Sequence, residues 1–256
     1  MNETITLRPE SRASTKDVII DYMLASVDEV EQLQPALNLL AQPSVARGGY
    51  DFFVHCYEAG TQNKAAETEP ALPDAVFRDS TPWMQRSGLL CAAAGRLNAL
   101  GQPLTHNRLC DVAGQYCASV ADADAETRSG FYTVRSISLP VYRRLLRDKH
   151  PSGICLQQAL LHLLAWKSDS PWARQQAQRL LWQGGVLGDK GEFALMTLDD
   201  ELRERQFAWP DLRSLLAITG FLATFPAGRY LLIERCSPGG EPVNWLPDIP
   251  VRRYAA

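Results

Sequence analysis

His106, Cys110 and Cys117 stand at helical spacings of four and seven, which puts a nitrogen and two sulfur donors on one face. Such a set is geometrically compatible with metal ligation, yet no fourth ligand follows and no paired Cys/His cluster supports it. The sequence favours a core histidine beside buried thiols. Asp199, Asp200, Glu201 and Glu204 could gather a divalent cation, but Thr197-Leu198-Asp199-Asp200 also has the order of a capping box. Acids favour a helix start, so a cap is expected there. Gly184-Gly185 and Gly188-Asp189-Lys190-Gly191 could offer backbone N–H groups and one ammonium to a phosphate. They match no P-loop spacing and sit where a helix connector belongs. Arg143, Arg144, Arg147, Lys149 and His150 place positive charge at a helix end, where it could bind phosphate or complement the helix dipole. There is no GxSxG elbow, HExxH or Rossmann fingerprint to support a hydrolase, zinc-protease or dehydrogenase.

The elements that must position these residues read as helices. Apolar spacing predicts helices over Asp17–Ala41, Trp83–Leu100, Thr105–Val120, Leu139–Arg147, Gly153–Lys167, Trp172–Gln183, Asp199–Phe207 and Trp209–Phe225. Asp79, Ser80 and Thr81 ahead of Pro82 form a cap followed by a first-turn proline, and Gly101-Gln102-Pro103 is a stop signal. Gly60–Pro73 and Ala121–Gly130 lack anchoring apolar residues and are expected as loops. Tyr230–Glu234 is too short for periodicity to separate strand from helix.

The expected fold is all-α, a single-domain bundle of about eight helices, with residues 1–236 forming the helical domain and 237–256 a Pro/Gly-rich tail. A chain of 256 residues with 46% hydrophobic content can bury a sizeable core. A net charge of -3 gives no reason to expect nucleic acid or an anionic membrane as partner. The amino terminus has neither the basic start nor the apolar run of a signal peptide, and no apolar run reaches membrane-span length. The six cysteines contain no CxxC pair. A cytoplasmic protein with reduced thiols is expected.

The segments Gly88–Cys110 (GLLCAAAGRLNALGQPLTHNRLC), Gly130–Arg144 (GFYTVRSISLPVYRR), Leu160–Trp166 (LLHLLAW) and Leu198–Leu222 (LDDELRERQFAWPDLRSLLAITGFL) carry a resemblance. In that order they resemble the triphosphoribosyl-dephospho-CoA synthase family, all-helical enzymes that make the prosthetic-group precursor of citrate lyase and malonate decarboxylase carrier proteins. The resemblance implies a reaction in which ATP and 3'-dephospho-CoA give triphosphoribosyl-dephospho-CoA and adenine. Chemistry of this kind needs carboxylates to hold magnesium, and cations or backbone amides to hold the triphosphate.

The family's polar motifs are thinned in this chain. Its early Pro-Lys-Pro-Gly-Leu-Val-Asp and Gly-Ala-His-x-Asp-Met segments correspond to Leu7–Val18, where Pro9, Lys16 and Asp17 remain. Asn-Thr-His-Lys-Gly falls on Arg78–Pro82. Gly-x-Arg-Gly-Glu-Ala shortens to Glu126–Gly130, leaving Glu126 and Arg128. Asp-Asp-Thr-Asn with His-Arg-Gly-Gly becomes Ser168–Pro171, leaving Asp169, and Arg-Asn-x-Ser-Pro-Gly-Gly-Ser-Ala-Asp becomes Arg205–Ser214, leaving Arg205. The later Ser237-Pro238-Gly239-Gly240 follows the wrong helix for that motif.

By resemblance, then, Asp169, Asp17 and Lys16 are the candidate catalytic residues, with Asp169 also facing the Mg2+ that accompanies ATP. Arg205, Arg128 and Glu126 are the candidate nucleotide-binding residues. Both Thr81-Pro82 and Ser170-Pro171 turn a ligand motif into a helix start, so degraded catalytic activity is expected. The alternative is a non-catalytic relative that binds a nucleotide ligand, an acyl-carrier protein or an active homologue, and has no cofactor.

Overall fold

In a computed structural model of the chain, the described residues are 15–33, 49–63, 82–117, 124–209 and 211–225. Tyr230–Glu234, Cys236 and the 237–256 tail lie outside them, as do Pro9 and Arg78–Thr81. The described residues form ten α-helices and no strand: α1 Thr15–Glu31, α2 Gly49–Gln62, α3 Pro82–Ala99, α4 His106–Tyr116, α5 Ala125–Arg128, α6 Leu139–Arg147, α7 Ser152–Lys167, α8 Pro171–Trp182, α9 Gly191–Glu204 and α10 Leu212–Thr224. A π-helical turn, Val134–Ser138, runs into α6, and a 3-10 turn, Gly185–Leu187, precedes α9. The architecture is the expected all-α single-domain bundle.

Helices α7 and α10 form the centre, because their sequences are apolar almost all round. Leu156, Leu160, Leu161, Leu163 and Leu164 of α7 and Leu216, Ile218, Phe221 and Leu222 of α10 are fully buried. Around them pack α1, α6 and α8, while α3 joins α10 to the α2 and α4 side of the bundle. A buried hydroxyl pair, Ser138 Oγ and Thr219 Oγ1 at 2.6 Å, ties the π turn to α10. No helix among the described residues is long and apolar enough to cross a membrane.

Four boundaries differ from the sequence expectation. Helix α2 was not among the expected helices, yet Phe53, Cys56, Tyr57 and Gly60 make one buried stripe. Gly60 allows its backbone to meet that of α3, where an added Cβ would collide with the Ala92 carbonyl. Helix α2 thus takes the first residues of the expected Gly60–Pro73 loop. Helix α9 starts at Gly191, not Asp199, so Thr197 is no cap: its hydroxyl donates to Phe193 O at 3.1 Å inside the helix. Helix α1 begins two residues before Asp17 and ends at Glu31. Within the expected Ala121–Gly130 loop, Asp124 accepts from Thr127 N at 2.9 Å and starts the short α5.

The remaining helix starts follow their caps. Thr105 accepts from Arg108 N at α4, and Ser170 accepts from Ala173 N, with Pro171 in the first turn of α8. Gly184 and Gly185 adopt positive φ. A Cβ on Gly185 would enter the Gln158 side chain, whose Oε1 accepts from Val186 N at 2.9 Å. This glycine turn is therefore packed onto α7 as a connector.

Candidate functional site

The sequence candidates fall in three places. At the start of α1, Lys16 Nζ pairs with Glu58 Oε1 of α2 at 3.0 Å, and Asp17 Oδ1 accepts from the Tyr50 hydroxyl at 3.2 Å. At α5, Glu126 Oε1 accepts from the backbone N–H groups of Thr133 and Val134 at 2.8 and 3.1 Å. That carboxylate satisfies the open donors ahead of α6. Arg128 is exposed at the end of the same short helix.

At the third place, Asp169 is exposed on the bend between α7 and α8. Arg205, just past α9, lays its guanidinium 4.0 Å above the Trp172 ring at the start of α8. Asp169 and Arg205 are thus brought to one helix start, as Lys16 and Asp17 are to another. The contacts described for Lys16, Asp17, Glu126 and Arg205 run to other residues.

Four residues not singled out from the sequence form a polar cluster around one buried guanidinium. Arg86 projects from α3 into the protein with its side chain only 5% exposed. Its Nε donates to Asp124 Oδ2 at 2.8 Å, and its Nη1 donates to Asp211 Oδ1 at 2.8 Å and to Ser214 Oγ at 2.6 Å. Ser214 in turn donates to Asp211 O at 2.8 Å. One guanidinium joins α3, the cap of α5 and the start of α10 through charge-assisted bonds.

These three points adjoin three stretches named in the sequence analysis. Helix α3 starts at the end of Arg78–Pro82, Asp124 stands two residues before Glu126, and Asp211 and Ser214 end the Arg205–Ser214 stretch. Arg86 thus ties together the chain near the starts of α3, α5 and α10. The signal in the sequence was an arginine four residues before Leu90 and seven before Ala93, hence on the buried face of its helix.

The electrostatics follow from that burial. For Asp124, burial alone would raise the carboxyl pKa, but the Arg86 and Thr127 hydrogen bonds outweigh it and hold it below the usual carboxylate range. Burial likewise opposes the charge on Arg86, and the two carboxylates more than restore it. Asp124 and Asp211 together exceed the charge of Arg86, so the cluster does not present a net cation to an incoming anion.

As a donor set the cluster does not fit a protein-held magnesium ion. Both carboxylates are engaged by a guanidinium, and among the described residues no three His, Cys, Asp or Glu side chains gather to hold a metal. His106, expected as a core histidine, lies with Nε2 3.3 Å from Phe225 O. Burial first, then the Arg143 charge, lowers its pKa to about 4. Arg143 itself donates to Leu222 O at 2.9 Å, at the end of α10.

The described cysteines are free and buried. Burial pushes Cys110 up to about 12 and Cys117 up to about 11, which makes both poor nucleophiles.

No family model and no solved structure matches the chain. Curated relatives do. The chain is 38% identical over 177 residues to the 2-(5''-triphosphoribosyl)-3'-dephosphocoenzyme-A synthase of Klebsiella pneumoniae, covering 55% of this chain and 59% of that protein. Its identity to the probable synthase of Salmonella gallinarum is 38% with the same coverage. To the Escherichia fergusonii synthase it is 33% over 178 residues, again 55% and 59%. The chain spans about 59% of the length of these relatives. Over about 55% of its length, then, the chain is similar to proteins named 2-(5''-triphosphoribosyl)-3'-dephosphocoenzyme-A synthase.

Proposed function

We propose that the protein is a synthase-like transferase in which the reaction of ATP with 3'-dephospho-CoA is slowed by the ion-pair cluster at Arg86. In this reaction a ribose hydroxyl of dephospho-CoA bonds to the anomeric carbon of the ATP ribose. The bond from that carbon to adenine breaks, and adenine leaves with the proton. The transition state gathers positive charge on the sugar beside a polyanionic triphosphate, so catalysis depends on charges placed in advance. Arg86 is a buried cation near the starts of α3, α5 and α10, and its donors are committed to Asp124, Asp211 and Ser214. That commitment is the observation supporting the reading.

Magnesium enters this reading with ATP as its counter-ion, Asp169 being the carboxylate assigned to face it. Asp17 and Lys16 are assigned to the reacting groups, and Arg205, Arg128 and Glu126 to the nucleotide. The test is adenine release from ATP plus dephospho-CoA with Mg2+, at high protein concentration. Slow release that Asp169→Ala abolishes supports the reading; no release from well-folded protein rejects it.

The same cluster favours a second reading, in which the scaffold binds without turning over. A nucleotide, an acyl-carrier protein or an active homologue would then be the ligand. Calorimetric ATP binding without adenine release would separate the second reading from the first.

A further inference from the structure

Helices α8 and α9 expose an unusual amount of apolar surface for one corner of a bundle. Trp182 is 90% exposed and Phe193 68%, with Met196 at 50% and Leu187 at 46%. A cleft of about 230 Å3 lies between the two helices, floored by Leu180, Ala194 and Leu198. Arg179 stands on the α8 lip, and Phe193 and Glu201 on the α9 lip. Of these, Phe193 lines the cleft itself, and exposed apolar side chains beside a cleft mark an interaction face.

The charges on the two lips identify the occupant. Helix α8 carries Arg174 and Arg179 and no acid, whereas α9 carries the buried Asp199 and, outside the core, Glu192, Asp200, Glu201 and Glu204 against one base, Arg203. Arg203 is held by Asp200 at 3.4 Å. Among the described residues, Arg179 and Glu201 line the same cleft without forming an ion pair with each other or with a third residue. A basic helix lying beside an acidic one makes a self-complementary face. A two-fold axis would set α8 of one copy along α9 of the other and satisfy both charges twice.

We infer that the α8–α9 face binds a second copy of this chain in an isologous dimer. Phe193, which lines the cleft, supplies its apolar centre, and Arg179 of each copy meets Glu201 of the other at its rim.

The test is sedimentation equilibrium of the full chain over about 1–100 µM, a range set by micromolar association. The weight-average mass rises from 28.4 kDa toward twice that value. Phe193→Asp, an exposed substitution that leaves the helical circular dichroism unchanged, holds the mass at the monomer value. Arg179→Glu and Glu201→Arg each weaken association by about tenfold or more, and the double exchange returns it to within about threefold. A wild-type mass fixed at the monomer value overturns the inference. So does a dimer indifferent to Phe193→Asp, or a double exchange that fails to restore association.

Discussion

Arg86 Nη1 lies 2.6 Å from Ser214 Oγ, although the two residues are 128 positions apart in the chain. The same nitrogen pairs with Asp211, so α3 and α10 are joined through one buried guanidinium. Removing one partner of a buried pair leaves the other desolvated and unpaired, at a cost of several kcal/mol. Asp124 and Asp211 are partly exposed, which moderates that cost. Arg86→Met is expected to lower stability by about 2–4 kcal/mol, measured by urea unfolding, and Arg86→Lys to recover only part of it because an ammonium lacks the planar fork. Equal stability of Arg86→Met and wild type would show that the cluster contributes nothing.

Acid should destabilise the protein before its carboxylates titrate. His106 has a native pKa of about 4, below the 6.5 of a free imidazole, so the folded state holds it neutral while the unfolded state protonates it. The corresponding stability is complete above pH 6.5 and is lost as the pH falls toward 4. His162, also lowered by burial, acts in the same direction. Asp124, held below its ordinary value of 3.8, adds a further loss as the pH falls through that range. The melting temperature of His106→Gln should therefore change less between pH 6.5 and 4 than that of wild type. Parallel curves would refute the assignment.

The α2–α3 crossing depends on two glycines. A Cβ at Gly60 would strike the Ala92 carbonyl, and one at Gly95 the Tyr57 carbonyl; both obstacles are backbone. Backbone cannot rotate aside, so Gly60→Ala and Gly95→Ala should each cost about 1–3 kcal/mol in overpacking, measured by denaturant melts. An unchanged midpoint for either variant would mean that the helices separate freely.

Glu126 offers a separation of scaffold from ligand chemistry. Its carboxylate accepts from two backbone N–H groups, so Glu126→Ala should lose about 1–3 kcal/mol by leaving those donors open. Glu126→Gln keeps an acceptor oxygen and should retain much of that stability. If the Gln variant is stable yet loses ATP binding by calorimetry, the carboxylate also serves a nucleotide; unchanged binding limits it to the helix start.

The sequence by itself determined the all-α class and several helix positions, because those depend on local spacing and caps. Leu139–Arg147 begins and ends where its apolar period and basic end place it. Ser170-Pro171 starts α8 as cap and first-turn proline require. Other local signals failed where tertiary contacts outweighed them. The acids after Thr197 read as a helix start, but the chain was already helical from Gly191, whose missing Cβ lets it pack beneath the Gly185 carbonyl.

Helix α2 was hidden because its packing surface includes glycine, which carries no hydrophobic signal of its own. The candidate residues Lys16, Asp17, Glu126, Arg128, Asp169 and Arg205 were legible only through resemblance. The structure decided which side chains they meet. Arg86 stayed invisible as a centre because its three partners lie far along the chain, at the starts of other helices, and a buried charge can be read as paired only once the fold brings its counter-charges within hydrogen-bond reach.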